Sequence, residues 1–365
     1  MYRIKYVLLI GVLVSVILSI SSCANYLVAI QMVSAPNDSL LGTTVNQQFE
    51  EINRATDRLI EINGFERQHI NLHEEGIEIS YFDIPAGDYG YTTDTAKVRR
   101  EDNSVRWIKT HWQWKDKSCF TATIDNSAKG TLLMLHGWAR DNRSLISLAV
   151  EFAQLGYRVV VPDLRGHGQS SGEWLSFGEQ ESTDIIRLAD RLDLKSFDIL
   201  GFSLGASTAL QMASRDHRVN RVISIAAMHS IEETIPKFGA RSRPWIASLL
   251  KENEKSIVSS ASELTGINYQ VTSDTLRAAQ RIRIPTLLVY GEKDQMSDKH
   301  LNTLIFDSLS GQKQLYEVSE LRHTFVLQHQ SELLNVAVNW LGLRNPKDNL
   351  QDSTCPVDEF KQGFM

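Results

Sequence analysis

Cysteine is scarce: only three of the 365 residues, at 23, 119 and 355, and no two are close in sequence. That spacing excludes a Cys/His zinc cluster and the dense disulfide framework of a small secreted domain. No G-x-x-x-x-G-K-[ST] run is present, so the phosphate cradle of a P-loop is missing. No basic block breaks the mild formal net charge of -6, which argues against nucleic acid as a partner. There is no internal repeat and no low-complexity tract. What remains is length for one large α/β domain with additions, and apolar content ample for its core.

The most informative stretch is Gly201-Phe202-Ser203-Leu204-Gly205. A short apolar run, Phe197 to Leu200, precedes it and reads as a buried strand. Ala206 to Ala213 follows and reads as a helix. A G-x-S-x-G in this setting is a nucleophile elbow, a sharp strand-to-helix turn that holds a serine in a strained conformation. A Cβ at either glycine would collide across so tight a turn. The hydroxyl is then exposed at the carboxyl end of a sheet, over a helix N-terminus.

Two further motifs share the strand-then-loop form. Thr131 to Leu135 leads into His136-Gly137-Trp138. An acyl-transfer enzyme needs two preorganised N–H donors for its oxyanion. The expected pair is Leu204, after the serine, and Trp138, in the loop of this earlier strand. His136 is read as shaping that loop without transferring protons. Val159 to Pro162 leads into Asp163-Leu164-Arg165-Gly166-His167-Gly168-Gln169-Ser170. There Asp163, Arg165 and Ser170 are expected to satisfy buried backbone groups.

Through these motifs, with Asp294 and His323, the chain resembles the serine hydrolases of the α/β-hydrolase family. It stands nearest the monoacylglycerol-lipase and carboxylesterase-like branch, over roughly residues 120–344. The resemblance implies the order Ser, Asp, His along the chain. Asp294 follows the strand Pro285 to Tyr290 in a G-x-x-D pattern, Gly291-Glu292-Lys293-Asp294. Glu292 and Asp298 compete with it, but neither matches that pattern. His323 follows the strand Gln314 to Val318. Relatives often carry a glycine shortly before this histidine, where Ser319-Glu320-Leu321-Arg322 stands here. His300 and His329 fall inside expected helices and are read as solvent-facing.

Apolar residues recur at i, i+3, i+4, i+7 in Leu145/Leu148/Ala149/Phe152, in Ile185/Leu188/Ala189/Leu192 and in Leu334/Ala337/Val338/Leu341. Each set makes one stripe for covering one face of a sheet. Alternation of such helices with strands predicts an α/β fold with a mainly parallel, doubly wound sheet. Residues 44–129 are expected to add a helix, Val45 to Ile62, and then β-rich segments, Ile77 to Asp83 and Arg106 to Trp114, that supply the first, partly antiparallel strands and a cover for the sheet. Ala86 to Asn103 between them reads as a surface loop. An insert over residues 228–283 is expected to form a helical cap, with Pro236, Phe238, Pro244, Trp245, Leu249 and Leu250 on its underside. Residues 345–365 read as a loose tail.

The N-terminus reads as a targeting segment. Arg3 and Lys5 precede the apolar run Tyr6 to Ile20 and then Ser21-Ser22-Cys23, which resembles a bacterial lipoprotein signal and its lipobox. Acylation of Cys23 would anchor the mature protein to a membrane surface, with residues 23–43 as a tether. The stretch from Tyr6 to Asn37 is uncharged, so an uncleaved spanning helix is the alternative, and a cleaved secreted protein a second one. With Cys23 lipidated, Cys119 and Cys355 remain as a candidate disulfide.

The expectation is therefore a membrane-tethered α/β-hydrolase acting on small acyl esters. Ser203 is nucleophile, His323 base, Asp294 its orienting acid, and no metal or organic cofactor is needed. The alternatives are a thioesterase or aminopeptidase with the same triad, and a non-catalytic binding module on the same fold.

Overall fold

The computed structural model describes residues 23–38, 53–72, 76–116, 121–125, 127–240, 244–343 and 357–362. Two helices open it, α1 (23–33) and α2 (53–63). The strands β1 (Arg67–Leu72), β2 (Ile77–Ile84), β3 (Gly87–Asp88), β4 (Tyr91–Arg99), β5 (Val105–Lys115) and β6 (Thr123–Ile124) follow. The α/β alternation then runs β7 (Gly130–Leu135), α3 (Arg143–Gln154), β8 (Tyr157–Pro162), α4 (Glu179–Arg191), β9 (Phe197–Phe202), α5 (Leu204–Ala213) and β10 (Val219–Ile225). Four helices interrupt it: α6 (Ile231–Ala240), α7 (Pro244–Thr265), α8 (Tyr269–Thr272) and α9 (Thr275–Ala279). It resumes with β11 (Thr286–Gly291), α10 (Lys299–Ser308), β12 (Lys313–Val318), α11 (His323–Gln328) and α12 (Gln330–Leu341), and ends in β13 (Val357–Gln362).

Eight strands form the central sheet in the order β1-β2-β8-β7-β9-β10-β11-β12. The β1–β2 and β2–β8 pairs are antiparallel and the rest parallel. Every residue of β9 and β11 is buried. That is why they read as largely apolar runs, broken in β9 only by Asp198, which pairs with Arg221, since helices cover both faces of a parallel sheet. Alternate residues of β7 feed two cores. Leu133 and Leu135 join Ile185, Leu188 and Ala189 of α4 on one face. Leu132 and Met134 join Leu145, Leu148, Ala149 and Phe152 of α3, with Leu334 and Val338 of α12, on the other. The expected stripes are the core-facing stripes.

Three expectations about the periphery need correction. The presumed loop Ala86 to Asn103 holds β3 and β4, and Tyr91 within it is fully buried. β4 pairs with β5 in a separate three-stranded sheet, so β5 lies outside the central one. The period-2 pattern was masked because threonines, good strand formers despite their polarity, occupy several positions. Residues 23–33 are no free tether: Ala29, Met32 and Val33 of α1 are packed into the core beside α4 and α5. Ser34 bridges Trp174, and the Ala35 N–H donates to Glu173 O at 2.8 Å. The second half of the Tyr6 to Asn37 stretch therefore belongs to the folded body, and among the described residues no helix is long and apolar enough to cross a membrane. The tail is also tied in part, because β13 pairs antiparallel with β5.

Residues 1–22, Cys119 and Cys355 lie outside the described residues, and with them the signal segment and the candidate disulfide. Cys23, at the start of α1, is exposed and free.

Candidate active site

Ser203 sits between β9 and α5 at φ 53°, ψ −112°. Positive φ is costly for a residue with a Cβ, so the surroundings must enforce it. Two glycines permit the enforcement. A Cβ on Gly201 would stand 2.2 Å from Gly205 O, and one on Gly205 would stand 2.2 Å from Leu135 O. The strand can turn back on its own helix, and the helix can pass across β7, only without those atoms. The Ser203 N–H donates to Ile225 O at 2.8 Å, fastening the turn to the end of β10.

The loops after β11 and β12 bring two side chains to this serine. His323 Nε2 lies 2.9 Å from Ser203 Oγ, and His323 Nδ1 lies 2.7 Å from Asp294 Oδ2. Asp294 is held in turn, its Oδ1 accepting from the N–H groups of Met296 (2.8 Å) and Ser297 (2.9 Å). All three residues are buried, and the Phe202 ring packs 5.2 Å from the His323 ring. A carboxylate, an imidazole and a hydroxyl in this series can draw the serine proton onto His323 as Oγ attacks a carbonyl.

The rival residues are placed elsewhere. Asp298 caps α10 by accepting from the Leu301 N–H. Glu292 accepts from the Glu320 N–H at 2.7 Å. His300 is exposed. His329 departs from its expected solvent-facing position: it is largely buried between α11 and α12, with Nδ1 3.0 Å from Thr95 Oγ1.

Three residues before His323, Glu320 adopts φ 66°, the region that favours glycine. Its carboxylate accepts two hydrogen bonds of 2.7 Å from the Arg99 guanidinium at the end of β4. Its N–H bond to Glu292 adds a second hold. This clamp was missed in the sequence because β4 itself was.

The loop after β7 packs directly on the serine. A Cβ on Gly137 would lie 2.9 Å from the Phe202 ring and 3.4 Å from Ser203 Cβ, so the His136–Trp138 backbone runs alongside Ser203. Leu204 is the first residue of α5, where helix geometry leaves the N–H without an intrahelical acceptor. His136 donates from Nδ1 to Gly137 O at 2.9 Å and accepts the Leu164 N–H at Nε2, 3.0 Å away. Both ring nitrogens are thus occupied, and burial pulls its pKa down to about 4. His167, edge-on to it at 5.0 Å, donates to Arg165 O and is pulled down to about 3, again by burial first.

The Asp163 loop is satisfied nearly as expected. Asp163 accepts from the N–H groups of Asn142 (2.7 Å) and Gln169 (2.9 Å), and the Ser170 hydroxyl donates to Asp163 O. Arg165 pairs with the Asp184 carboxylate through two hydrogen bonds. Burial, and then the Asp141 charge, raise the Asp163 carboxyl to about 6.

A family model for the α/β hydrolase fold matches residues 130–257, from β7 through the elbow into α7. The chain has the α/β-hydrolase fold. It is 22% identical over 200 residues to the AB hydrolase superfamily protein YisY of Bacillus subtilis (strain 168), a match covering 46% of this chain and 75% of YisY. It is 29% identical over 118 residues to the sn-1-specific diacylglycerol lipase ABHD11 of Xenopus tropicalis, across 32% of this chain and 36% of that one. The match thus spans about a third of the Xenopus protein's length. Among solved structures, a membrane phospholipase A, described as a bacterial virulence factor, superposes with a TM-score of 0.51 at 15% identity. That superposition covers 94% of this chain and 99% of the phospholipase, and at such identity it speaks for the fold alone.

The cap segment of the hydrolase is helical between β10 and β11 throughout its elements, α6 to α9. Its described apolar contacts differ from the expected set. Ile231, Ile235, Ile257, Val258 and Ala261 join Leu204 and Met228 in one cluster. Pro236 and Leu250 are half-buried, and the side chains of Phe238, Pro244, Trp245 and Leu249 lie outside the described residues.

Proposed function

We propose that this α/β-hydrolase cleaves carboxylic esters with an acyl chain through an acyl-enzyme on Ser203. The observation that carries the reading is the relay of 2.9 Å and 2.7 Å from Ser203 through His323 to Asp294. His323 takes the serine proton as Oγ attacks and returns it to the leaving alcohol. Asp294 fixes the tautomer with Nδ1–H and stabilises the imidazolium. The N–H groups of Leu204 and Trp138 receive the oxyanion, and water attacking along the reverse path releases the acid. The lipase activity in the Xenopus relative's name and the apolar cluster of the cap over Leu204 support an acyl substrate.

The same reading places the enzyme at a membrane surface, with Cys23 as the acylated residue. Its support is the basic-apolar-lipobox order of residues 3–23 and the exposure of Cys23 at the tip of a helix packed on the body. Such an anchor would hold the enzyme close to the bilayer, because α1 leaves no slack chain beyond Cys23.

A fluorophosphonate probe tests the mechanism: it should label the wild type on Ser203 and leave Ser203→Ala unlabelled. A substrate panel of esters graded by chain length, beside acyl thioesters and aminoacyl amides, tests the class. Highest kcat/KM on thioesters or amides would overturn the ester reading while leaving the nucleophile in place. Metabolic labelling with an alkyne fatty acid, lost in Cys23→Ser, tests the anchor.

A further inference from the structure

Lys237 of the cap helix α6 reaches across to the loop that carries Asp294. Its Nζ donates to Met296 O at 3.3 Å and to Asp298 Oδ2 at 3.3 Å. Only 24% of its side chain is exposed, so these charge-assisted bonds form largely out of water. Met296 and Ser297 are the residues whose N–H groups hold Asp294 Oδ1. The ammonium therefore grips both ends of the stretch, Met296 to Asp298, that aims the carboxylate. From the other side, Asn302 of α10 donates to Ser297 O at 3.0 Å and to Asp298 O at 2.9 Å.

The form of α6 suits a link between cap and triad. Pro236 stands inside the helix, directly before Lys237. A proline there cannot donate to Glu232 O, and its ring crowds that carbonyl, so the helix is weakest where it meets Lys237. On the near side of the proline, Ile231 and Ile235 are buried in the cluster that holds Leu204 of the elbow. One half of α6 is thus packed with the elbow, and the other is fastened to the acid's loop. The Asp298 side chain is 43% exposed, so its ion pair with Lys237 adds little to stability. What the pair fixes is geometry.

We propose that Lys237 is a positioning residue for the triad: it ties the cap to the stretch from Met296 to Asp298, so that Asp294 is aimed at His323 when the cap is seated. The inference rests on the Ser203–His323–Asp294 relay of the proposed function and adds the cap as its regulator. An acyl chain that seats α6 against the elbow would also align the acid, and a displaced cap would leave the serine weakly activated.

The rate at which a fluorophosphonate labels Ser203 in the full-length protein tests this without a choice of ester. Lys237→Met should label about tenfold more slowly than the wild type, and should lower kcat on a short soluble ester by a similar factor with KM little changed. In an Asp294→Asn background the same substitution should change the labelling rate by less than about twofold, because Lys237 acts through Asp294. A general loosening of the fold would cost the same factor in both backgrounds. Circular dichroism identifies a variant that does not fold. If Lys237→Met is one, Asp298→Asn takes its place, since it keeps a cap for α10, removes the charge that Lys237 meets and should slow labelling in the same way. Labelling of the folded variant at the wild-type rate, or an equal loss in the Asp294→Asn background, would overturn the latch while leaving the nucleophile in place. A wild type that the probe does not label would remove the Ser203 reading and the latch with it.

Discussion

Arg99 grips Glu320 through two hydrogen bonds of 2.7 Å, and Glu320 lies three residues before His323. The pair joins the small outer sheet to the loop that presents the histidine. It also holds a glutamate at a φ of 66°, a backbone conformation natural to glycine. Arg99→Ala should release the loop and lower kcat on the order of tenfold, since small misplacement of a proton acceptor is costly to turnover. KM should move little. Glu320→Gly removes the clamp but relaxes the backbone that needed it, and should retain more activity than Arg99→Ala. Steady-state kinetics on a short soluble ester check the order, and an unaffected Arg99→Ala enzyme would show that the loop stands without its clamp.

Ser203→Ala should fold and lose ester hydrolysis on the order of a million-fold. Asp294→Asn and His323→Ala should each cost on the order of a thousand-fold or more, and should add nothing on top of Ser203→Ala, because the three act as one relay. Retention of a tenth of wild-type turnover by Ser203→Ala would remove the proposed mechanism.

Acid should weaken the fold through two buried histidines. With folded pKa values of about 4 for His136 and about 3 for His167, the unfolded chain takes up these protons near 6.5, well before the folded one. Stability is therefore full above pH 6.5 and falls below it, by about 2 kcal/mol per histidine at pH 5. Asp163 acts with the opposite sign, because its folded carboxyl protonates at about 6, before the unfolded one at 3.8. It returns about 1 kcal/mol at pH 5 and leaves a net loss. Denaturant titrations at pH 7.5 and pH 5 should show that loss, with a smaller one in His167→Asn.

The register of β13 on β5 sets Val357 opposite Lys115. Cys355 is two residues before Val357 and Cys119 four residues after Lys115. Both cysteines lie outside the described residues, and the register itself does not set them opposite each other. The prediction rests on their being the two cysteines left once Cys23 is lipidated: in an oxidising compartment they should form a bridge. Non-reducing peptide mapping of protein from its own host should recover the linked peptides, whereas free, alkylatable thiols at both positions would exclude it.

The sequence alone determined the central sheet, the elbow, and Ser203, Asp294 and His323 as the residues to bring together. These rest on signals confined to a few neighbouring residues. Largely apolar runs mark strands covered on both faces, 3.6-residue stripes mark their helices, and glycines two residues either side of a serine mark a turn in which no Cβ fits at those two positions. Tertiary structure decided the rest, because the partners are far apart in the chain. Arg99 meets Glu320 across 221 positions. The apolar residues of α1 could serve a spanning segment or a docked helix equally well, and only the core beside α4 and α5 selects the second. β4 hides its period behind threonines until β5 pairs with it.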